Sequence, residues 1–123
     1  MEREKRAAAS QSFDTPRREG VVLGDGTLLA ALMEIEEILE HRGWCQGAAP
    51  DRAGRLSLDA AVDRVAAHLS HSERERMLLR ARLQNRLCRS CGAGALAAWN
   101  DAPGRRYTEV WELLQITRFV YAA

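Results

Sequence analysis

Apolar residues recur at helical spacing along much of this chain. The clearest stretch runs from residue 28 to residue 42, where one apolar stripe consists of Leu28, Leu32, Ile35 and Leu39. Glutamates cover the opposite side of this helix. His41 and Arg42 suit the negative end of its dipole, and Gly43 stands where a left-handed residue ends a helix. The pattern predicts a helix over residues 28–42 that stops at Gly43.

Three further helices follow from the same periodicity. Ser57 is an expected N-cap for a helix over residues 58–69, whose inward stripe is Leu58, Ala61, Val62, Val65 and Leu69. Ser70, with Glu73 three residues later, resembles a capping box and predicts a third helix that reaches about Arg89. That helix aligns Leu79, Leu83 and Leu87, with Met77 and Ala81 beside them. The last helix is expected over residues 106–121, with an inward stripe of Val110, Leu113, Leu114, Thr117 and Val120 or Tyr121.

Glycine, proline and short polar residues mark the connections. Residues 44–56 predict a long loop, and a break at residues 90–94 is followed by a helical turn at residues 95–98. Pro103 and Gly104 fit the centre of a type II turn, which we expect Asn100 and Asp101 to brace through bonds to nearby backbone. The sequence thus predicts an all-α fold, a compact single domain of about four helices with long structured loops over residues 21–123.

The first 20 residues mix charges of both signs with polar residues, and their one large apolar residue besides Met1 is Phe13. They cannot bury enough surface to offset the entropy of ordering, so we expect a flexible tail over residues 1–20. Val21, Val22 and Leu23 then lead into a turn, after which Asp25 or Thr27 is expected to cap the first helix.

Composition and charge limit the partners and the cellular compartment expected for the protein. The chain has 123 residues and a formal net charge of +1, so no global field attracts nucleic acid or an anionic membrane. No apolar run reaches 18 residues, and the N-terminus lacks the apolar core of a secretory signal. Three cysteines do not make a disulfide framework. These features predict a cytoplasmic protein without a membrane partner.

Two short segments concentrate the rarest residue types. Gly-Trp-Cys-Gln-Gly occupies residues 43–47, and Trp-Asn-Asp-Ala-Pro-Gly-Arg occupies residues 99–105. Together they resemble a family of small actinobacterial and phage proteins that is catalogued as a domain of unknown function. The resemblance covers about residues 28–115 and implies a single intracellular helical domain. The possible functional or family-motif residues are Trp44, Cys45, Gln46, Trp99, Asn100, Asp101 and Arg105.

The chain departs from the family pattern at two places. Relatives tend to open their second helix with a cysteine and small residues, whereas Ser57 and Leu58 stand here. Cys88 and Cys91, in turn, do not belong to the family pattern. Both departures argue against cysteine chemistry shared with the family.

The cysteines raise two chemical alternatives. Cys88 and Cys91 have the spacing of a zinc knuckle, and His41 with Cys45 is a candidate to complete a structural zinc site; unliganded, half-buried thiols are the competing interpretation. Cys45 is also a candidate nucleophile with His41 as its base, against a role as a small buried thiol. His71 and Glu73 before the cysteine pair resemble a zinc deaminase only superficially, because the intervening residues predict one continuous helix.

Six arginines on the third helix suggest a phosphate-binding face: Arg74, Arg76, Arg80, Arg82, Arg86 and Arg89. The competing interpretation is a solvated face in which Arg82 and Arg86 pair with Glu36 or Glu40 on the first helix.

Tryptophans, finally, either close a small core or form a partner surface. We expect Trp44 and Trp99 to share one cluster, with Cys45 buried beside them and no metal; Trp111 lies off the inward stripe. The function favoured is a small non-catalytic cytoplasmic interaction or accessory module that takes another protein, or a second copy, as its partner. No cofactor or catalytic residue is assigned. The alternatives are an enzyme acting through Cys45 and a nucleic-acid-binding regulator using the third helix.

Overall fold

The computed structural model describes residues 25–122, with side chains from residue 26 to residue 120. This part of the chain contains five helices joined by loops: α1 (Asp25–Arg42), α2 (Leu58–Leu69), α3 (Glu73–Cys91), α4 (Leu96–Asn100) and α5 (Tyr107–Ala122). The all-α prediction is confirmed for these residues. The predicted tail, residues 21–24 and the Asp25 side chain lie outside what the structure describes. α1 already includes Asp25 and Gly26, so the helix begins about three residues before its predicted start and Thr27 lies inside it rather than at its cap.

The four longer helices form a bundle around one core. α1 packs between α2 and α5, α3 also contacts both of these helices, and the short α4 lies against α2 and α3. α1 and α5 run antiparallel, since Glu40 near the end of α1 lies close to Tyr107 at the start of α5, and Met33 lines a groove with Phe119. α4 accounts for the difference from four predicted helices, because the turn expected at residues 95–98 extends to Asn100.

The predicted stripes form most of the core. The α1 stripe is fully buried, as are the Val62 and Val65 side chains of α2 and the three aligned leucines of α3. α5 buries Val110, Leu113, Leu114 and Thr117, but Val120 is 55% exposed, so its inward placement was wrong. The Tyr121 side chain lies outside the described residues. Met77 and Ala81 face solvent rather than the core.

Helix caps were predicted correctly at one serine and wrongly at another. Ser57 caps α2, where its hydroxyl accepts from the backbone N–H of Ala60 at 3.1 Å. α3 is capped by Ser72 rather than Ser70, and the Ser72 hydroxyl accepts from the N–H of Glu75. The Glu75 carboxylate in turn accepts from the N–H of His71. None of the described helices combines the length and apolar character needed to cross a membrane.

Candidate functional site

The two motif segments meet at one end of the bundle, where we name their seven predicted residues the motif cluster: Trp44, Cys45, Gln46, Trp99, Asn100, Asp101 and Arg105. The first segment begins where α1 stops at Gly43, whose φ of +92° and N–H bond to Leu39 end the helix as predicted. It continues in a parallel bridge to the start of α2. In this bridge the backbone N–H of Cys45 donates to the carbonyl of Leu56, and the backbone N–H of Leu56 donates to the carbonyl of Gly43, each at 3.0 Å.

Asn100 is the residue that joins the two segments. It is fully buried at the end of α4. Its Oδ1 accepts from the indole Nε1 of Trp44 at 2.7 Å and from the backbone N–H of Leu58 at 3.0 Å. Its Nδ2 donates to the carbonyl of Cys45 at 3.3 Å and to Oδ1 of Asp101 at 2.9 Å. Every hydrogen-bonding position of this amide is therefore filled within the protein.

Gln46 and Asp101 add further bonds between the segments. Nε2 of Gln46 donates to the carbonyls of Asn100 and Ala102, at 3.0 and 2.8 Å. Oδ1 of Asp101 accepts from the N–H of Gly47 at 2.8 Å. This backbone bond, with that from the Asn100 amide, lowers the pKa of the Asp101 carboxyl. The expected role of Asn100 and Asp101 in bracing their own turn was wrong, since their side chains bind mainly to the distant segment.

Arg105 closes the second segment. Its guanidinium lies 3.9 Å from the centroid of the Trp99 ring, and its Nε donates to the carbonyl of Trp99 at 2.9 Å. The predicted turn is present, because the N–H of Arg105 bonds to the carbonyl of Ala102 and Gly104 has a φ of +82°. The expectation that the two segments lie together is confirmed, and both tryptophans pack against the core.

Cys45 has the surroundings of a structural thiol. It is 8% exposed, and its Sγ donates to the carbonyl of Arg55 at 3.3 Å. Burial and then the nearby charge of Asp51 raise the pKa of this thiol, whereas a nucleophilic cysteine needs a lowered one. His41 is exposed on the last turn of α1 and makes no hydrogen bond to Cys45. His41 is therefore not placed to act as the base for Cys45 that the sequence suggested.

The other cysteines occupy the end of α3. Sγ of Cys91 contacts the carbonyl of Cys88 at 3.7 Å, and burial followed by the neighbouring Cys91 raises the pKa of Cys88. Within residues 25–122, no group of three or more histidine, cysteine or acidic side chains could hold a metal. His71 lies at the opposite end of α3 from Cys88, about 25 Å away at the usual helical rise, so the deaminase arrangement is absent.

Arg86 of α3 is partly buried, and the other five arginines of this helix divide into two sets. Arg76 binds Asp63 at 2.6 Å and also pairs with Glu73, while Arg80 lies 3.7 Å from Asp63. Arg74, Arg82 and Arg89 are exposed and form no ion pair with a described residue. Arg82 does not form the predicted ion pair with Glu36 or Glu40. Glu36 instead binds Arg118 of α5 at 2.7 Å and also accepts from Trp111 and Gln115.

A second surface, which we name the α1–α5 groove, is lined by Leu29, Met33, Gln115, Arg118 and Phe119 and has a volume of about 500 Å³. Met33 is 54% exposed and Phe119 is 78% exposed. Along α1 the groove adjoins a depression lined by the acidic side chains of Glu34, Glu36, Glu37 and Glu40. Sequence reasoning missed this groove, although Ile116 and Phe119 are large apolar residues off the inward stripe of α5.

These features define a class of small all-helical proteins in which two motif loops close one end of a four-helix bundle through a buried polar network. The chain belongs to DUF6197, a family of unknown function, whose model matches residues 24–118. This agrees with the resemblance that the two motifs indicated. No curated protein and no solved structure matches the chain.

Proposed function

We propose that this protein is a non-catalytic interaction module that binds an amphipathic helix of a partner chain in its α1–α5 groove. The observation that carries the proposal is the exposure of Met33 and Phe119 side by side in one groove. Apolar side chains gathered in a groove at a protein surface favour burial against a partner, since removing apolar area from water is favourable. The size of the groove suits a few side chains from one helix.

Charge indicates what kind of helix fits. Glu37 and Glu40 lie one and two turns along α1 from Met33, and both are exposed without an ion pair to any described residue. Carboxylates beside an apolar groove favour a partner that carries lysine or arginine next to its apolar side chains. The occupant we propose is therefore an amphipathic helix with a basic flank.

The motif cluster contributes to this function indirectly. Its polar groups are bonded to each other, so it offers few free donors or acceptors to a ligand. Trp44 lies two residues beyond the end of α1, and Arg105 pairs with Glu109 in the first turn of α5 at 3.6 Å. The cluster thus holds the adjoining ends of the two helices that form the groove. The three free cysteines fit a reducing compartment, and we place the module in the cytoplasm on that ground.

The test uses a labelled 18-residue helical peptide of leucine, alanine and arginine, with its leucines on one face and its arginines beside them. We expect fluorescence anisotropy to show binding that weakens with salt. Phe119→Ser should weaken it roughly 10-fold, the value for partial burial of one large apolar side chain. A peptide of the same composition with its leucines spread around the helix should bind no better than background.

Two methionines provide a matched control. Met33 and Met77 are exposed to 54% and 51% on different helices, but only Met33 lines the groove. Met33→Ser should weaken peptide binding several-fold, whereas Met77→Ser should leave it unchanged. Equal effects of the two substitutions, or equal binding of both peptides, would overturn the proposal.

A further inference from the structure

The outer face of α3 has the properties that the α1–α5 groove requires of its occupant. Met77 and Leu78 are 51% and 42% exposed, and they lie between the exposed arginines Arg74 and Arg82. Arg74, Met77 and Leu78 point away from the buried leucines of α3, and Arg82 lies at the edge of this face, about 100° around the helix from the centre of the leucine stripe. This face is thus the outer surface of an amphipathic helix that is apolar at its centre and basic beside it.

We infer that the groove takes the α3 outer face of a second copy of this chain, so that the protein associates head to tail. This inference rests on the proposed function and names the partner of the same groove. Two observations support a second copy as the occupant: both surfaces are exposed on one chain, and their unpaired charges have opposite sign. Glu37 and Glu40 lie on one surface, and Arg74 and Arg82 on the other.

The spacing of the residues also matches. Glu37 follows Met33 by four positions on α1, and Arg82 follows Leu78 by four positions on α3. One helical turn, about 6 Å, therefore divides the apolar contact from the charge on both surfaces. When α3 of one copy lies parallel to α1 of the next, Leu78 reaches the Met33 and Phe119 side chains while Arg82 reaches Glu37.

This contact is heterologous, because each copy contributes two different surfaces. Such a contact leaves one groove and one α3 face free at the ends of every open assembly, so chains or closed rings form rather than symmetric dimers. Only a few large apolar side chains take part, so the interface is small and its affinity is expected in the range of weak, transient complexes. Association should therefore emerge only at high protein concentration.

Sedimentation velocity on the full chain, from about 10 μM to about 1 mM, tests the inference. We expect the weight-average mass to rise with concentration and to fall on addition of salt. Met33→Ser with Phe119→Ser removes the groove, and Met77→Ser with Leu78→Ser removes the α3 face. Each double variant should remain monomeric alone, while an equimolar mixture should form one-to-one dimers that grow no further.

A charge exchange tests the proposed register. Arg82→Glu should weaken self-association about 5-fold, the upper range for one exposed ion pair. Adding Glu37→Lys to the same chain should restore it, because every contact then pairs the exchanged charges. Arg64, an exposed arginine of α2, provides the control, and Arg64→Glu should leave association unchanged.

Three results would overturn the inference: a wild-type chain that is monomeric at 1 mM, self-association by the α3 variant as strong as that of the wild type, or no restoration by the charge exchange. The peptide assay separates this failure from that of the proposed function. Peptide binding by a monomeric wild-type chain would leave the groove as a docking site for a different protein and remove only the second copy as its occupant.

Discussion

The motif cluster and the α1–α5 groove differ in how completely their side chains are partnered. Asn100 fills all its hydrogen-bonding positions within the chain, and Cys45 is bonded and buried. Met33 and Phe119, by contrast, expose more than half of their area, and Glu37 has no ion pair with a described residue. The polar groups of the motif cluster are bonded within the chain, whereas the groove leaves apolar area and charge exposed for a partner.

The two regions differ in the kinds of residue that form them, because specifying a fold and binding a partner place different demands on side chains. Tryptophan and asparagine gather in the motif cluster, with glycines beside them in the two segments, because a buried polar network requires particular donors, acceptors and backbone angles. Ordinary methionine, phenylalanine and glutamate form the groove, because docking a helix requires apolar area and charge rather than particular residues. A distinctive motif in this chain therefore marks where the fold is specified, and the proposed binding surface lies elsewhere.

The largest effect that separates the two regions is expected from Asn100→Ala. It leaves the Trp44 indole N–H, the Leu58 N–H and the Cys45 carbonyl without their partner in a buried place. We expect the free energy of unfolding to fall by about 3–5 kcal/mol in urea denaturation. Asn85 is an exposed asparagine of α3, and Asn85→Ala should change stability by less than about 0.5 kcal/mol. Similar losses for both would refute the structural role of the cluster.

The partners of Asn100 also show why the sequence predicted the helices better than the cluster. Apolar stripes depend on spacing within one helix, and those of α1, α2 and α3 were largely correct. The bonds of Asn100 to Trp44, Cys45 and Leu58 span 42 to 56 residues, so no local pattern reveals them. From sequence, only bonds within its own turn could be expected of this residue.

The cap of α3 shows a second limit. Ser70 precedes Glu73 by three residues, and Ser72 precedes Glu75 by the same interval, so the capping-box pattern occurs twice in succession. Which serine caps the helix depends on how the three residues between α2 and α3 turn. That turn is fixed by the packing of the two helices, which the sequence pattern does not contain.

The meeting of the two motif segments, by contrast, was predictable, but only because their occurrence together in one chain suggested it.

A smaller difference in stability is expected between two matched tryptophan substitutions, one in the cluster and one beside the groove. Trp44→Phe keeps an aromatic ring but removes the indole N–H that binds Asn100, so we expect a loss of about 1–2 kcal/mol in the free energy of unfolding. Trp111 is 41% exposed, and its indole donates to Glu36 at the surface. Trp111→Phe should cost less than about 0.5 kcal/mol. The reverse order would show that the α1–α5 side, not the cluster, governs stability.

Two glycines at the ends of α1 are expected to differ by about 1 kcal/mol or more in their response to alanine. Gly43 has a φ of +92°, and a Cβ there would lie 2.8 Å from Cγ of Arg55, so Gly43→Ala should destabilise the protein by about 1 kcal/mol or more. Gly26 lies at the start of α1, where an added Cβ would meet nothing within 4 Å. Gly26→Ala should be neutral or stabilise by up to about 0.5 kcal/mol. Thermal or urea unfolding of both variants measures the contrast, and a loss at Gly26 as large as that at Gly43 would contradict it.

The smallest effect is a dependence of stability on pH that comes from Asp101 in the motif cluster. The Gly47 N–H, followed by the Asn100 amide, lowers the pKa of Asp101 below its ordinary value near 4. A carboxyl whose pKa is lower in the folded state stabilises the protein above its unfolded pKa and loses that contribution as pH falls through the folded value. Asp101→Asn keeps an oxygen for Gly47 but removes the charge. The difference in unfolding free energy between wild type and variant should therefore be largest above about pH 5 and shrink below about pH 4. Glu37→Gln is the control, because it removes a carboxylate from the groove side. Its unfolding free energy as a function of pH shows the effect of losing one negative charge outside the cluster. If the wild type and Asp101→Asn differed by the same amount at pH 3 and pH 7, the bond from Gly47 would not depend on the charge of Asp101.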